Sequence, residues 1–280
     1  MCSQRLSRRV RSENMEAPHI SWPTLGFFRR IVRGYFRRHF HAVRVSGPER
    51  LVAAGAGDRP LIVYANHSSW WDPMVQVLLG AELLAQRRHY APMDAAALER
   101  YSIFKQLGVF GVEMKTARGA AQFLRTGLAV LESGGVLWIT PQGRFADVRD
   151  RPLGFKPGLA ALAGRVKDGC TVLPLAIEYT FWDERLPETL LHFGEVVQVD
   201  GLAPDLEDRL ESALLKAMEE LEGLSVARDP AGFCVLRAGR VGVGGFYGLG
   251  QRLLAWLGRR PYQAEHTTAV ARQAARNERA

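Results

Sequence analysis

Leu61-Ile62-Val63-Tyr64-Ala65-Asn66-His67-Ser68-Ser69-Trp70-Trp71-Asp72-Pro73 begins as an unbroken apolar run and ends on a histidine and a carboxylate with four residues between them. The apolar run reads as a buried strand. A histidine at the end of a strand, with an aspartate about a turn further on, can be oriented as a general base. The carboxylate accepts the proton on one ring nitrogen and leaves the other free to take a proton from a substrate hydroxyl. The chain has no G-x-S-x-G elbow to carry a nucleophilic serine. The bare pair therefore favours direct attack by a substrate hydroxyl over a covalent acyl-enzyme. Trp70 and Trp71, inside the same stretch, serve either as packing for the following helix or as an apolar wall beside the pair.

Outward from this strand, apolar runs recur at 136–140, 171–179 and 191–199, and helical periodicity at 73–86, 94–106, 117–132, 157–167 and 205–221. Asp94 suits an N-cap, and Gly134-Gly135 ends the helix before it. Alternating strands and helices imply an α/β fold with a mixed central β-sheet flanked by helices. Ahead of it, Leu25, Phe28, Ile31, Val32, Tyr35, Phe36 and Phe40 recur at helical spacing, with Arg29, Arg30, Arg33, Arg37 and Arg38 filling the other face. This basic amphipathic helix, aromatic on its apolar side, has the composition of an interfacial membrane anchor. A helix docked on the body with a solvated charged face is the alternative.

The formal charge of +8 is unevenly spread. Residues 1–50 carry a net +8 and residues 228–280 a net +6, whereas residues 51–227 carry −6. Basic ends around an acidic body suit an anionic partner. No nucleic-acid motif accompanies them, so the expected partner is an anionic membrane surface and not a nucleic acid. Three widely separated cysteines, Cys2, Cys170 and Cys234, give no C-x-x-C pair and fit a reducing cytoplasm. We read no signal peptide and no transmembrane helix, which would need about 20 apolar residues, and expect a peripheral protein on the cytoplasmic face of the cell membrane. The expected organisation is a basic tail and amphipathic helix over 1–42, a catalytic domain over 43–227, and a basic extension over 228–280. The extension's Gly-rich and aromatic stretch is a second interfacial contact or a cover for the core's edge.

Four blocks lie in a fixed order along the chain: Asn66-His67-(four residues)-Asp72; Gly108-Val109-Phe110-Gly111-Val112-Glu113-Met114; Pro141-Gln142-Gly143-Arg144-Phe145; and Val172-Leu173-Pro174-Leu175-Ala176-Ile177. Over about residues 43–199 this order resembles the glycerolipid acyltransferase family, which includes the 1-acylglycerol-3-phosphate O-acyltransferases. The resemblance implies O-acyl transfer from acyl-CoA or acyl-carrier protein to a lipid hydroxyl, with His67 and Asp72 catalytic and no metal or redox cofactor. It also points to substrate contacts in the second and third blocks, Glu113, Gln142, Gly143 and Arg144, with Lys115 and Arg118 just beyond the second block as further candidates. In the family these blocks read G-x-x-x-x-D-R and P-E-G-T-R, and their arginines are associated with the acceptor's phosphate. Here Met114 and Phe145 occupy the arginine positions. Neither can pair with a phosphate dianion, which arginine grips bidentately.

The expected reaction is therefore acyl transfer to a hydroxyl without an adjacent phosphate, as in a glycosylated isoprenoid or carotenoid or an aminoacyl lipid. The alternative acceptor is lysophosphatidic acid, with Lys115, Arg118 or Arg144 supplying the charge. An inactive membrane-surface binding protein on the same fold is the alternative of another class. Arg149, Arg151 and Lys156 are further candidates for the donor's phosphates or an acidic carrier.

Overall fold

The computed structural model describes residues 16–240. The chain opens with α1 (Trp22–His39), β1 (Ala42–Ser46), α2 (Pro48–Ala56), β2 (Leu61–Ala65), α3 (Asp72–Leu83), β3 (His89–Asp94) and α4 (Ala95–Arg100). It continues through β4 (Val109–Val112), α5 (Ala117–Glu132), β5 (Val136–Ile139), α6 (Gly158–Ala163), β6 (Cys170–Thr180), β7 (Glu188–Phe193), β8 (Val197–Val199), α7 (Leu206–Ala227) and β9 (Cys234–Ala238).

The strands form one mixed sheet in the order β4-β3-β5-β2-β6-β7-β1-β9, with β8 also paired to β6. From β4 to β6 every pairing is parallel. A parallel sheet needs cover on both faces, so its strands are apolar at consecutive residues. Leu61, Val63 and Ala65 of β2 face a core shared with α1, α2 and α3. Ile62 and Tyr64 face the opposite core, shared with α5, α6 and α7. The Tyr64 hydroxyl, deep in that second core, donates to the Leu210 carbonyl (2.8 Å).

The mixed sheet flanked by helices and the N-terminal helix agree with the sequence reading. Several elements differ from it. The expected strand over 191–199 is broken into β7 and β8. Both pair with β6, and the break lies opposite Pro174, which has no N–H to donate there. Gly194 N–H instead donates to the Pro174 carbonyl (3.0 Å). The helix expected over 94–106 is α4 followed by a 3-10 turn, Ser102–Gln106, with Asp94 capping α4 by accepting from Ala97 N–H (3.0 Å). Strands β1, β3, β4 and β9 and helix α2 were not read from the sequence. The sheet continues past residue 227, because β9 pairs antiparallel with β1.

Helix α1 docks on the body. Val32 and Phe36 are buried in the α3-side core, Leu25 in the other, and Phe28 meets Phe104 edge-on (5.7 Å). Arg33 Nε donates to Glu82 of α3 (2.8 Å), and Arg237 of β9 reaches the same carboxylate (2.5 Å). Burial opposes the charge on Glu82, but the hydrogen bonds from the two arginines outweigh it and hold the carboxyl below its usual range. The outer side of α1 exposes Trp22, Phe27, Arg30, Tyr35, Arg37 and Arg38. Among the described residues no helix is long and apolar enough to cross a membrane. The tail over 1–15 and the extension's Gly-rich and aromatic stretch lie outside the described residues.

Candidate active site

Three adjacent parallel strands, β5, β2 and β6, end on the same side of the sheet, so their C-terminal residues and following loops converge. Such strand ends are where ligands bind in α/β sheets. Asn66, immediately after β2, is buried and bonds both ways to β6: its Nδ2 donates to the Ile177 carbonyl (2.9 Å), and its Oδ1 accepts from Ile177 N–H (2.8 Å). The side chain thus extends the β2–β6 ladder by one step and leaves the next residue, His67, free to turn out of the sheet.

His67 Nδ1 lies 2.8 Å from Asp72 Oδ2, and the same oxygen accepts from Ser69 N–H (3.0 Å). Asp72 begins α3, where the helix N-terminus favours a carboxylate, and Pro73 follows in the first turn, where a missing N–H costs nothing. The Asp72 side chain has no exposed surface, while the His67 side chain keeps 18%. With Nδ1 donating to Asp72, Nε2 is the nitrogen available to a substrate. Tyr179, near the end of β6, donates its hydroxyl to Asp72 Oδ1 (2.8 Å). Burial first, and then Asp72, raise that phenol well above the usual tyrosine range, so it stays a donor.

The loop after β5 holds His67 from the other side. Gln142 is buried; its Oε1 accepts from His67 N–H (3.0 Å) and its Nε2 donates to the Leu153 carbonyl (3.3 Å). Ala146 N–H donates to the His67 carbonyl (2.8 Å). The turn requires Gly143, whose φ of +59° disfavours other residues. Lys156 Nζ reaches the Gly143 carbonyl (3.4 Å). Phe145, at 59% exposure, lies against the His67 ring with centroids 4.3 Å apart. Trp71 packs among Tyr35, Phe36, His39 and Phe40, whereas Trp70 is 60% exposed and points outward. Of the two tryptophans, Trp71 is packing and Trp70 is available as a wall.

The other residues singled out from the sequence are at the same sheet end without touching the pair. Glu113, Lys115 and Arg118 follow β4, three strand positions from β2, or about 14 Å at the usual strand spacing. There the backbone turns tightly: Lys115 takes φ +66°, Thr116 caps α5 by accepting from Gly119 N–H (2.9 Å), and a Cβ on Gly119 would stand 1.9 Å from the Glu113 carbonyl. Met114 packs against the core on the α5 side. Arg144 is exposed and 3.9 Å from Asp150. Arg149 is held by Asp147 through two hydrogen bonds, and Arg151 by the carbonyls of Val148 and Asp150. Gln142 was expected to face substrate; both ends of its side chain are engaged within the protein. Tyr179 and the contact of Phe145 with His67 were not anticipated. The one sequence signal for Tyr179 was a polar-tipped aromatic shortly after the apolar run over 172–177.

The acyltransferase family model matches residues 42–178, the span that contains this pair and the sheet around it. The chain is an acyltransferase. The matched domain, just under half of the chain, is of the acyltransferase family, and the fold is α/β, a mixed sheet flanked by helices. Among solved structures, the 1-acyl-sn-glycerophosphate (LPA) acyltransferase PlsC from Thermotoga maritima aligns with a TM-score of 0.52 at 21% identity, over 71% of this chain and 79% of that one. The pilus retraction motor PilT with bound ADP aligns at 10% identity and a TM-score of 0.31, over 69% of this chain and 63% of that one. No curated protein matches the chain significantly.

Proposed function

We propose that the chain moves a fatty acyl group from a thioester donor, acyl-CoA or acyl-carrier protein, to a hydroxyl of a membrane lipid that has no phosphate beside it. His67 Nε2 takes the hydroxyl proton as the oxygen attacks the thioester carbonyl. Asp72 keeps the imidazole oriented and balances the imidazolium charge. The carbonyl oxygen becomes the oxyanion of a tetrahedral intermediate. Gly143 N–H is already bonded to the Thr140 carbonyl (3.0 Å), so the oxyanion donors in this reading are the neighbouring N–H groups of Arg144 and Phe145. Collapse breaks the C–S bond, and the imidazolium returns its proton to the leaving thiolate. Gln142 acts here through His67, holding its backbone in place.

The observation that carries the acceptor reading is Phe145. Where the family pattern has an arginine, this chain lays an aromatic ring against the general base, which favours an apolar surface next to the reacting hydroxyl. Met114, at the other arginine position, packs inward. One observation favours lysophosphatidic acid instead: Lys115, Arg118, Arg144 and Lys156 are all exposed around the same sheet end. Single point charges are weaker and less directional than a bidentate arginine clamp. We expect kcat/KM for a non-phosphorylated hydroxyl lipid to exceed that for lysophosphatidic acid on the same vesicles with the same donor. A ratio strongly favouring lysophosphatidic acid refutes this acceptor assignment.

A further inference from the structure

Asp72 has two carboxylate oxygens and no exposure. One of them, Oδ2, is taken up by His67 Nδ1 and Ser69 N–H. Oδ1 faces away from the imidazole and meets the Tyr179 hydroxyl. A buried carboxylate oxygen without a donor is costly. A carboxylate held at only one oxygen is also free to turn, and no longer aims that oxygen steadily at the His67 imidazole.

The position of Tyr179 is fixed by the fold. Asn66 locks the β6 backbone at Ile177, and side chains two apart on a strand share a face. Ile177 faces the α3-side core, so Tyr179 points to the same side, where α3 begins with Asp72. Its ring is steadied by Phe40, centroids 5.9 Å apart. The same packing keeps the hydroxyl out of bulk water and aimed at Oδ1.

We infer that Tyr179 is a positioning residue of the acyl-transfer site: its hydroxyl fixes the plane of the Asp72 carboxylate, and so acts on His67 at one remove. The inference rests on the reading of His67 as general base. It assigns catalytic weight to a residue outside the His-x4-Asp stretch, 107 positions along the chain from Asp72.

The test is Tyr179→Phe, which keeps the ring and removes only the hydroxyl. The expected loss in kcat is about tenfold to a hundredfold, the size of one hydrogen bond to a charged group, with KM for both substrates unchanged. The acid limb of kcat/KM against pH should move up, because the hydroxyl no longer supports the Asp72–His67 pair. In an Asp72→Asn background, removing the hydroxyl should cost several-fold less, since coupled groups are not additive. Site-specific 3-fluorotyrosine at 179 retains the bond with a more acidic hydroxyl and should move the limb to lower pH. This variant decides the question if Tyr179→Phe does not fold. Wild-type kcat and an unmoved acid limb in a folded Tyr179→Phe enzyme overturn the inference, as does an unmoved limb with fluorotyrosine. His67→Ala, run alongside, separates the two readings. If it retains wild-type turnover, the general-base assignment itself has failed; if it is inactive while Tyr179→Phe is normal, only the role of Tyr179 falls.

Discussion

Asp72 is approached by three donors, from His67, Ser69 and Tyr179, and both of its oxygens are used. Asparagine has the same shape but only one acceptor oxygen, so Asp72→Asn sets an NH2 group against at least one of these donors. We expect His67→Ala and Asp72→Asn both to abolish most of the turnover. A general base contributes roughly a hundred- to ten-thousandfold. The two should differ in stability. His67→Ala removes a part-exposed ring and should melt near wild type, whereas Asp72→Asn leaves a buried donor unpaired and should lose about 1–3 kcal/mol. Single-turnover assays beside denaturant melts check both. The pair was legible in the sequence because its two members are close along the chain and follow a recognisable strand. Tyr179 was not, because it meets Asp72 only through the β2–β6 register that Asn66 and Ile177 fix. The buried placement of Gln142 was equally hidden: a polar residue in a turn reads as solvent- or ligand-facing until Leu153 and the His67 backbone are seen to use both of its ends.

Helix α1 shows how much periodicity gives and where it stops. The spacing of Leu25, Val32 and Phe36 marks a helix with one apolar side, but that side is satisfied equally by lipid or by protein. The structure buries these three in the body and leaves a second, mixed surface of Trp22, Phe27 and Tyr35 with Arg30, Arg37 and Arg38 outward. The arginines therefore divide. Arg33 is committed to Glu82, while Arg30, Arg37 and Arg38 have the exposure an anionic surface needs. If α1 is the membrane contact, replacing those three with Gln should weaken binding to anionic vesicles by about 1 kcal/mol per residue, leave melting unchanged, and reduce the salt sensitivity of what binding remains. Vesicle flotation at two salt concentrations measures this. A triple variant that floats as wild type does would remove the anchor role from α1. Deleting the helix is a poorer test, since it also takes Val32 and Phe36 out of the core.

At the scale of the whole molecule, the sheet's centre was readable and its margins were not. Strands β2 and β6 are long or continuously apolar because both faces are covered, and such runs are conspicuous. Strand β3 is only partly buried and β4 has four residues; both lie toward one edge, with part of their cover supplied by α4 and the 3-10 turn, so their patterns are diluted. The margin also carries a pH response. His89, at the start of β3, accepts from the Trp138 indole at Nδ1 (3.1 Å) and donates from Nε2 to the Leu84 carbonyl (3.0 Å). Burial, chiefly, pushes its pKa down from 6.5 to about 4. The unfolded chain binds that proton near pH 6.5 and the folded chain does not, so this contribution to stability is present above 6.5 and is lost as pH falls toward 4. The full loss is on the order of 3 kcal/mol. Stability measured across this window by denaturant melts should decline, and the part due to His89 should vanish in His89→Gln. His41 has the opposite sign. Its bond to Glu188 (2.5 Å) raises its pKa, so its contribution is complete below the unfolded value and fades as pH rises through the folded one.

The ring of Phe145 on His67 also bears on fidelity. A thioester beside an activated base is open to two nucleophiles, the lipid hydroxyl and the solvent. An aromatic plate on the imidazole narrows the approach of water while presenting lipid with a surface it can wet. Phe145→Ala should therefore shift the partition of each acyl group, with more free fatty acid released per ester formed even where total thioester consumption is little changed. The ratio of the two products, followed with a labelled donor, reads out that leak directly. An unchanged ratio would mean that water is kept away by the bound substrates themselves.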